Sequence, residues 1–221
     1  MTEIFYTQIL LPEQFDILKN KLFDLLPEAS IIRLQRYKNS NDIQRSILGE
    51  CIVRLKLSEK LDYKPSEIHF VHSENGKPSL PECFGWHFNI SHSGEYILAA
   101  ISPNLVGIDV EKKRNTNLSV AKRFFHTKEY DFLISQSEED QQDLFFRMWT
   151  LKESFVKAMG WGIANSLNLF SVIPENDSFH FECMNYNKET YFQQLNIDCD
   201  YYAAVCSIED PEISDLQKVV F

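Results

Sequence analysis

Three carboxylates in two short segments have the residue types and spacing to hold a hard cation. Asp109 and Glu111 lie in Gly107-Ile108-Asp109-Val110-Glu111, and Glu153 lies in Trp149-Thr150-Leu151-Lys152-Glu153-Ser154-Phe155-Val156-Lys157. The first segment reads as a strand, with β-branched residues around the acids and a charged turn after them. Strand side chains alternate, so Asp109 and Glu111 share one face while Ile108 and Val110 share the other. The second segment reads as a helix on which Trp149, Glu153 and Lys157 recur every four residues. Mg²⁺ takes few carboxylates and completes its shell with waters and phosphate oxygens, so an acid set beside a lysine suits a phosphate ester. Taken singly each segment is weak: an acidic pair ending a strand is more often a solvated edge, and Glu153 with Lys157 fits an ordinary surface ion pair.

Two further segments add phosphate chemistry. Asn89-Ile90-Ser91-His92-Ser93-Gly94 follows an apolar run and reads as a small-residue turn whose amides and hydroxyls can receive phosphate. His92 is there either as a satisfied loop histidine or as a phosphate contact. Gly76-Lys77-Pro78 reads as a rigid turn that presents a cation, or as an ordinary surface turn.

The elements that must position these residues form a weak internal repeat. In the first half a helix over Asp42 to Leu61 is apolar along one side, with strands over Glu67 to Val71 and Tyr96 to Ile101. In the second half a helix over Glu139 to Met159 precedes strands over Leu167 to Val172 and Tyr201 to Cys206. The simplest architecture is α+β, a pseudo-twofold arrangement of two similar α+β halves. The turn signal Pro103-Asn104 divides it into residues 1–104 and 105–221, the latter carrying the acids. The Asp109/Glu111 strand then falls near the seam between halves, where ligands often bind. Ser135 to Asp143 reads as a mobile loop before the second helix.

Composition narrows the functional classes. At 221 residues, 44% hydrophobic and 13% aromatic, the chain can bury a substantial core. Its net charge of -10 argues against general nucleic-acid binding. No apolar run approaches the roughly 18 residues that span a bilayer, which points away from a membrane partner. The five cysteines are odd in number, scattered and without a Cys-x-x-Cys pair, the pattern of reduced thiols in the cytoplasm.

Taken as a set, these segments resemble the 4′-phosphopantetheinyl transferase superfamily, Sfp type. The resemblance rests on Gly107 to Glu111, on Phe124-Phe125 with Glu129-Tyr130, and on Trp149-x-x-Lys152-Glu153-x-x-x-Lys157. Phe88 to Gly94, Gly76-Lys77-Pro78, Arg33-x-x-Arg36-Tyr37 and Gln44-Arg45-Ser46 reinforce it. It implies two pseudo-symmetric halves with coenzyme A between them. It also implies a holo-[carrier protein] synthase, moving phosphopantetheine from coenzyme A to a carrier serine with Mg²⁺ and releasing adenosine 3′,5′-bisphosphate. By position Asp109, Glu111 and Glu153 are the implied metal ligands, and Lys157 the contact to the pyrophosphate. Ser91, His92, Arg45, Lys77 and Pro78 are implied coenzyme A contacts, with His92 and Arg33 directed to the 3′-phosphate. One position departs from the family pattern: Ser30 stands where a second basic residue is expected, so weaker coenzyme A binding or compensation by Arg36 or Lys38 follows. The implied partners are apo acyl, peptidyl or aryl carrier proteins. The long two-half form implies a monomer, since one chain supplies both walls of the cleft.

The chemistry such a site must perform is independent of the resemblance. Attack by a serine hydroxyl on a pyrophosphate requires cations against the phosphoryl oxygens and a base for the proton. Glu153, or a water it orients, is one candidate base, and Glu129 is another. From Lys112 to Lys128 the chain carries Lys112, Lys113, Arg114, Lys122, Arg123 and Lys128 and no acid. That run is either a solvated face or a docking surface for an acidic carrier domain, with Phe124 and Phe125 as anchors or core.

Overall fold

Two apolar runs, Tyr96–Ser102 and Tyr201–Ile208, form the centres of two sheets and are buried almost throughout on both faces. The computed structural model describes residues 1–221 apart from positions 35, 74–75, 163–165, 176–177 and 185. In chain order its strands are Thr2–Gln8 (β1), Val71–His72 (β2), Pro78–Ser79 (β3), His87–Ser93 (β4), Tyr96–Ser102 (β5), Val106–Lys112 (β6), Phe170–Glu175 (β7), Ser178–Cys183 (β8), Thr190–Gln194 (β9), Tyr201–Ile208 (β10) and Ile213–Lys218 (β11). The helices are Pro12–Phe23 (α1), Glu28–Leu34 (α2), Ser40–Leu61 (α3), Ser119–Phe124 (α4), Thr127–Ile134 (α5) and Glu138–Met159 (α6).

One sheet has the order β11-β1-β5-β4 and the other β6-β10-β9. Leaving out β11, each is an antiparallel set of three with a long helix on it, α3 on the first and α6 on the second. β11 runs parallel to β1, so the last strand of the chain joins the first sheet. Along β5, Ile97, Ala99 and Ile101 meet Ile47, Leu48, Cys51 and Ile52 of α3, while Tyr96, Leu98 and Ala100 face Ile108, Val110 and Val205 of the other sheet. Along β10, Ala204, Cys206 and Ile208 pack on Leu151 and Phe155 of α6, and Tyr201, Ala203 and Val205 face the shared core. Burial on both faces is why these strands read as unbroken apolar runs. The repeat is visible in side chains: Tyr96 and Tyr201 meet edge to face at 4.7 Å. Ser102 Oγ and Ser207 Oγ lie 2.9 Å and 3.0 Å from the same atom, Thr2 Oγ1.

Local chemistry sets where the helices begin. Asn39 accepts the Asn41 N–H at 2.8 Å and starts α3 at Ser40. Ser137 Oγ accepts the Asp140 N–H at 3.3 Å and starts α6 at Glu138. Glu138, Glu139 and Asp140 occupy that first turn, where the helix dipole favours acids. The expected loop over Ser135 to Asp143 is therefore mostly helix. Gly160, at φ +70°, ends α6 in the left-handed region. Two expected strands also start later in the chain than their sequences suggest. Pro65–Glu67 is a 3₁₀ turn, because Pro65 fixes φ and lacks a donor, and only Val71–His72 pairs. Leu167–Leu169 is likewise a 3₁₀ turn, with the strand starting at Phe170. All five cysteines are free. Among the described residues no helix is long and apolar enough to cross a membrane.

Candidate active site

The two sheets are stitched together by side chains where β4 meets β6. One edge of β6 pairs with β10, and the other would leave its N–H groups without a strand partner. Instead Ile108 N–H donates to Asn89 Oδ1 at 2.9 Å, Val110 N–H to Ser91 Oγ at 3.3 Å, and Lys112 N–H to Ser93 Oγ at 3.0 Å. Positions 89, 91 and 93 share a face of β4, so one run of polar side chains satisfies one strand edge. The segment expected as a phosphate-receiving turn is thus a strand, and its turn is confined to Gly94 at φ +55°.

This stitching sets Ser91 against Asp109. Ser91 Oγ donates to Asp109 Oδ1 at 3.0 Å. The Lys157 ammonium reaches the same carboxylate oxygen at 2.6 Å and Ser91 Oγ at 2.9 Å. Asp109 and Glu153 are each 4% exposed, and Asp109 Oδ2 and Glu153 Oε1 are buried with no hydrogen-bond partner. Glu111, half-buried, receives Arg114 at 3.0 Å and Ser93 Oγ at 3.4 Å on Oε2. Burial, then the Asp109 charge, pushes the Glu153 carboxyl up to about 7 against the pull of Lys157. Glu111 is raised by burial and then by Asp109. The three acids therefore act on one another, although their oxygens do not all close within 4.8 Å. Among the described residues only the exposed group Asp198, Cys199 and Asp200 meets that distance. Two orphaned carboxylate oxygens in an all-oxygen donor set fit a hard cation that completes its shell with water and phosphate.

α6 approaches β6 closely enough to place Glu153 and Lys157 because position 107 is glycine. A Cβ there would run into Ser154 O and Ala158 N of the helix backbone. At the end of α6, Lys77 Nζ donates to Lys157 O and, at 3.4 Å, to Ala158 O. A cation on the last carbonyls of a helix is favoured by its dipole. Burial, then the Lys157 charge, brings the Lys77 ammonium down to about 8. Lys77, Pro78, Asn89, Ile90, Lys157 and Trp161 line a cavity of about 290 Å³ beside this junction. Loss of water around the His92 ring, with the Arg45 guanidinium second and Lys157 a smaller contribution, holds its imidazole below the ordinary value. Arg45 is itself fixed by Gly94 O and Asp42, each at 2.7 Å.

Known proteins share this arrangement of segments. Residues 105–206 match the family described as "4'-phosphopantetheinyl transferase superfamily", and residues 16–104 match "4'-phosphopantetheinyl transferase, N-terminal". The 4'-phosphopantetheinyl transferase Sfp of Bacillus subtilis (strain 168) is 33% identical over 190 residues, which cover 86% of this chain and 85% of that one. This chain belongs to the 4′-phosphopantetheinyl transferase superfamily. A second relative, the transferase gsp of Aneurinibacillus migulanus, is 42% identical over 135 residues, 61% of this chain and 56% of its own. The L-aminoadipate-semialdehyde dehydrogenase-phosphopantetheinyl transferase of Mus musculus is 30% identical over 213 residues, 86% of this chain and 69% of its own.

Of the site residues expected from the sequence of this transferase, Ser91, Asp109 and Lys157 are in direct contact, and Glu111 and Glu153 share their field. Lys77 and Pro78 flank the end of α6, and Arg45 lies beside His92. Arg33 is held by an ion pair with Glu50 and a 3.1 Å contact with His72 Nε2. Among the described residues it makes no hydrogen bond or ion pair with the Ser91–Lys157 group. Ser30 is buried, its hydroxyl 3.5 Å from the Arg54 guanidinium. Glu129, the other candidate base, is fully buried and bound to Lys152, and among the described residues it makes no hydrogen bond or ion pair with the Ser91–Lys157 group. The sequence assigns no separate role to Asn89, Ser93 or Gly107, and it places Arg114 only in the basic run, not beside Glu111. The alternation Asn89-x-Ser91-x-Ser93 was the available signal for the stitching.

Proposed function

We propose that this transferase moves the 4′-phosphopantetheine group of coenzyme A to a serine hydroxyl of an acyl, peptidyl or aryl carrier protein, with Mg²⁺, releasing adenosine 3′,5′-bisphosphate. The observation that carries the reading is the pair of buried, unpartnered oxygens Asp109 Oδ2 and Glu153 Oε1 beside the Lys157 ammonium. A buried acceptor without a partner costs about 1–3 kcal/mol, and a divalent cation would satisfy both. Asp109, Glu111 and Glu153 would hold the metal, which when bound neutralises charge on the pyrophosphate oxygens.

Lys157 binds the pyrophosphate and balances charge on the departing bisphosphate. Glu153 takes the proton of the serine hydroxyl. The serine oxygen bonds to the pantetheine-bearing phosphorus, and the bond from that phosphorus to the bridging oxygen breaks. Its electron pair leaves with the bisphosphate. Ser91, Lys77 and Pro78 line the coenzyme A path. Arg33 and Arg45 are each paired with a carboxylate, Glu50 and Asp42, so with His92 they would take the 3′-phosphate by exchanging that partner.

For the carrier we assign the basic segment Lys112 to Lys128. Lys113, Arg114 and Lys128 pair with Asp143, Glu111 and Glu182, while Lys112, Lys122 and Arg123 are exposed and form no ion pair among the described residues. Phe125 is buried and stacks on Phe145 at 5.4 Å, and Phe124 packs edge-on against Trp149 at 6.3 Å, which supports core roles for both. The halves 1–104 and 105–221 would form the cleft within one chain, a monomer, and the free thiols fit the cytoplasm. Incubation with coenzyme A, Mg²⁺ and an apo carrier tests the proposal by intact-protein mass. Gain of phosphopantetheine on the carrier supports it; coenzyme A hydrolysis alone, or no change, overturns it.

A further inference from the structure

Lys152 and Glu129 form a closed knot behind the acids. Both are 0% exposed. The Lys152 ammonium lies 2.9 Å from Glu129 Oε1, 2.7 Å from Oε2 and 2.9 Å from Phe170 O, which accounts for its three protons. Glu129 Oε1 also accepts the Val172 N–H at 2.8 Å, and Oε2 the His126 N–H at 2.8 Å. The ammonium sits 4.0 Å from the centroid of the Phe170 ring. One pair thus ties α6 to the start of α5 and to β7.

Stability alone does not account for such a pair. Burying two charges carries a desolvation cost that their attraction offsets only with excellent geometry, and neutral replacements often fold as well. What the pair adds is direction. Lys152 directly precedes Glu153, and successive helix residues point about a quarter-turn apart. On the opposite side, Gly107 sets how closely α6 approaches β6. Distance is fixed by the glycine, and the packing of Leu151 and Phe155 on β10 holds the apolar face of α6. The anchor at Lys152 adds a polar tie on a different side of the helix, against rotation about its axis.

We propose that Glu129 and Lys152 are positioning residues that set the rotation of α6, and hence the direction from which Glu153 and Lys157 reach Asp109. The inference rests on the reading of these acids as a metal site. The double variant Glu129→Gln/Lys152→Met tests it, because both charges are removed at nearly unchanged side-chain volume while the glutamine oxygen can still accept the Val172 N–H. Three quantities are read: urea stability, Mn²⁺ affinity by EPR without coenzyme A or carrier, and steady-state holo-carrier formation. In the folded variant, Mn²⁺ affinity and kcat should each fall about tenfold, as for lost outer supports of metal ligands, with carrier KM unchanged. Wild-type Mn²⁺ affinity and kcat would overturn the inference. If the double variant does not fold, Glu129→Gln alone is held to the same two criteria. Should the wild-type protein bind Mn²⁺ but transfer nothing, the proposed function fails while the Mn²⁺ comparison still decides the positioning role.

Discussion

Gly107→Ala should damage activity more than stability. The added Cβ overlaps Ser154 O and Ala158 N and lies 3.0 Å from Lys157 C, all backbone atoms of α6 that no rotamer change can move aside. Non-bonded heavy atoms rest at about 3.5 Å, and the new Cβ would lie 2.0 Å from Ser154 O, so β6 and α6 must part by about 1–1.5 Å. Glu153 rides on the same helix and is carried away from Asp109 and Glu111 by a similar distance, while the flexible Lys157 stem can follow its carboxylate partner. Overpacking of this kind costs about 1–3 kcal/mol, whereas a 1 Å misplacement at a reacting centre costs about 100-fold in rate. Gly49→Ala is the contrast, because its new Cβ meets Ile90 Cγ2 at 2.8 Å, a side-chain methyl that can rotate away. Urea denaturation and holo-carrier formation by intact mass, run on both variants, check the argument. A Gly107→Ala enzyme within threefold of the wild-type rate, on the order of 0.6 kcal/mol in barrier, would refute the claim that this contact sets the site.

Glu153→Ala and Asp109→Ala should each nearly abolish transfer, and Lys157→Ala should lower it strongly; near wild-type rates for Glu153→Ala would sink the assignment. Ser91→Ala, which removes the partner of Val110 N–H, Asp109 and Lys157 together, should cost about 10- to 100-fold in rate. Asn89→Ala should instead appear in urea unfolding as about 1–3 kcal/mol lost for the orphaned Ile108 N–H. In metal-free protein the folded Glu153 carboxyl titrates near 7 and the unfolded one at 4.5, so the folded state binds the proton more tightly. The stability this adds is complete below the unfolded pKa and is lost as pH rises through the folded one, about 3 kcal/mol in all. Glu153→Gln should flatten that slope in denaturation measured across pH. Added salt should raise the carrier KM while leaving kcat at saturating carrier nearly constant, and a salt-independent KM would exclude the basic segment as the docking surface.

The parts of the site legible in the sequence are those whose geometry is local. Asp109 and Glu111 share a strand face by pleat alone, and Glu153 and Lys157 share a helix side by pitch alone. The Asn89 to Gly94 segment misled because Asn, Ser and Gly are turn residues by composition. Its polar side chains serve a strand edge 19 residues away, and their alternation marks a strand face without naming the edge it serves. Glu129 fitted a base because an acid near a motif is chemically able to act. Its Lys152 partner lies 23 residues on in another helix, and packing, not residue type, sets that contact. Arg33 shows the same limit, since its engagement by Glu50 joins α2 to α3 and depends on how the two pack.

The charge arrangement explains how one site can hold three acids before any metal arrives. Lys157 covers Asp109 and Arg114 covers Glu111, while among the described residues Glu153 forms no ion pair and its Oε1 has no hydrogen-bond partner. It is Glu153 that burial and the Asp109 charge drive toward protonation near neutral pH. Two intrinsic cations and a proton thus offset the charge of the three carboxyl groups. On the proposed reading Glu153 must release its proton and Lys157 must leave Asp109 before the site is loaded. Lys157 has a flexible stem and a compact charge, so it can exchange a carboxylate for a phosphate without moving the helix. The rigidity of α6, secured by Gly107 on one side and Lys152 on the other, and the mobility of one ammonium are then complementary requirements of the same reaction.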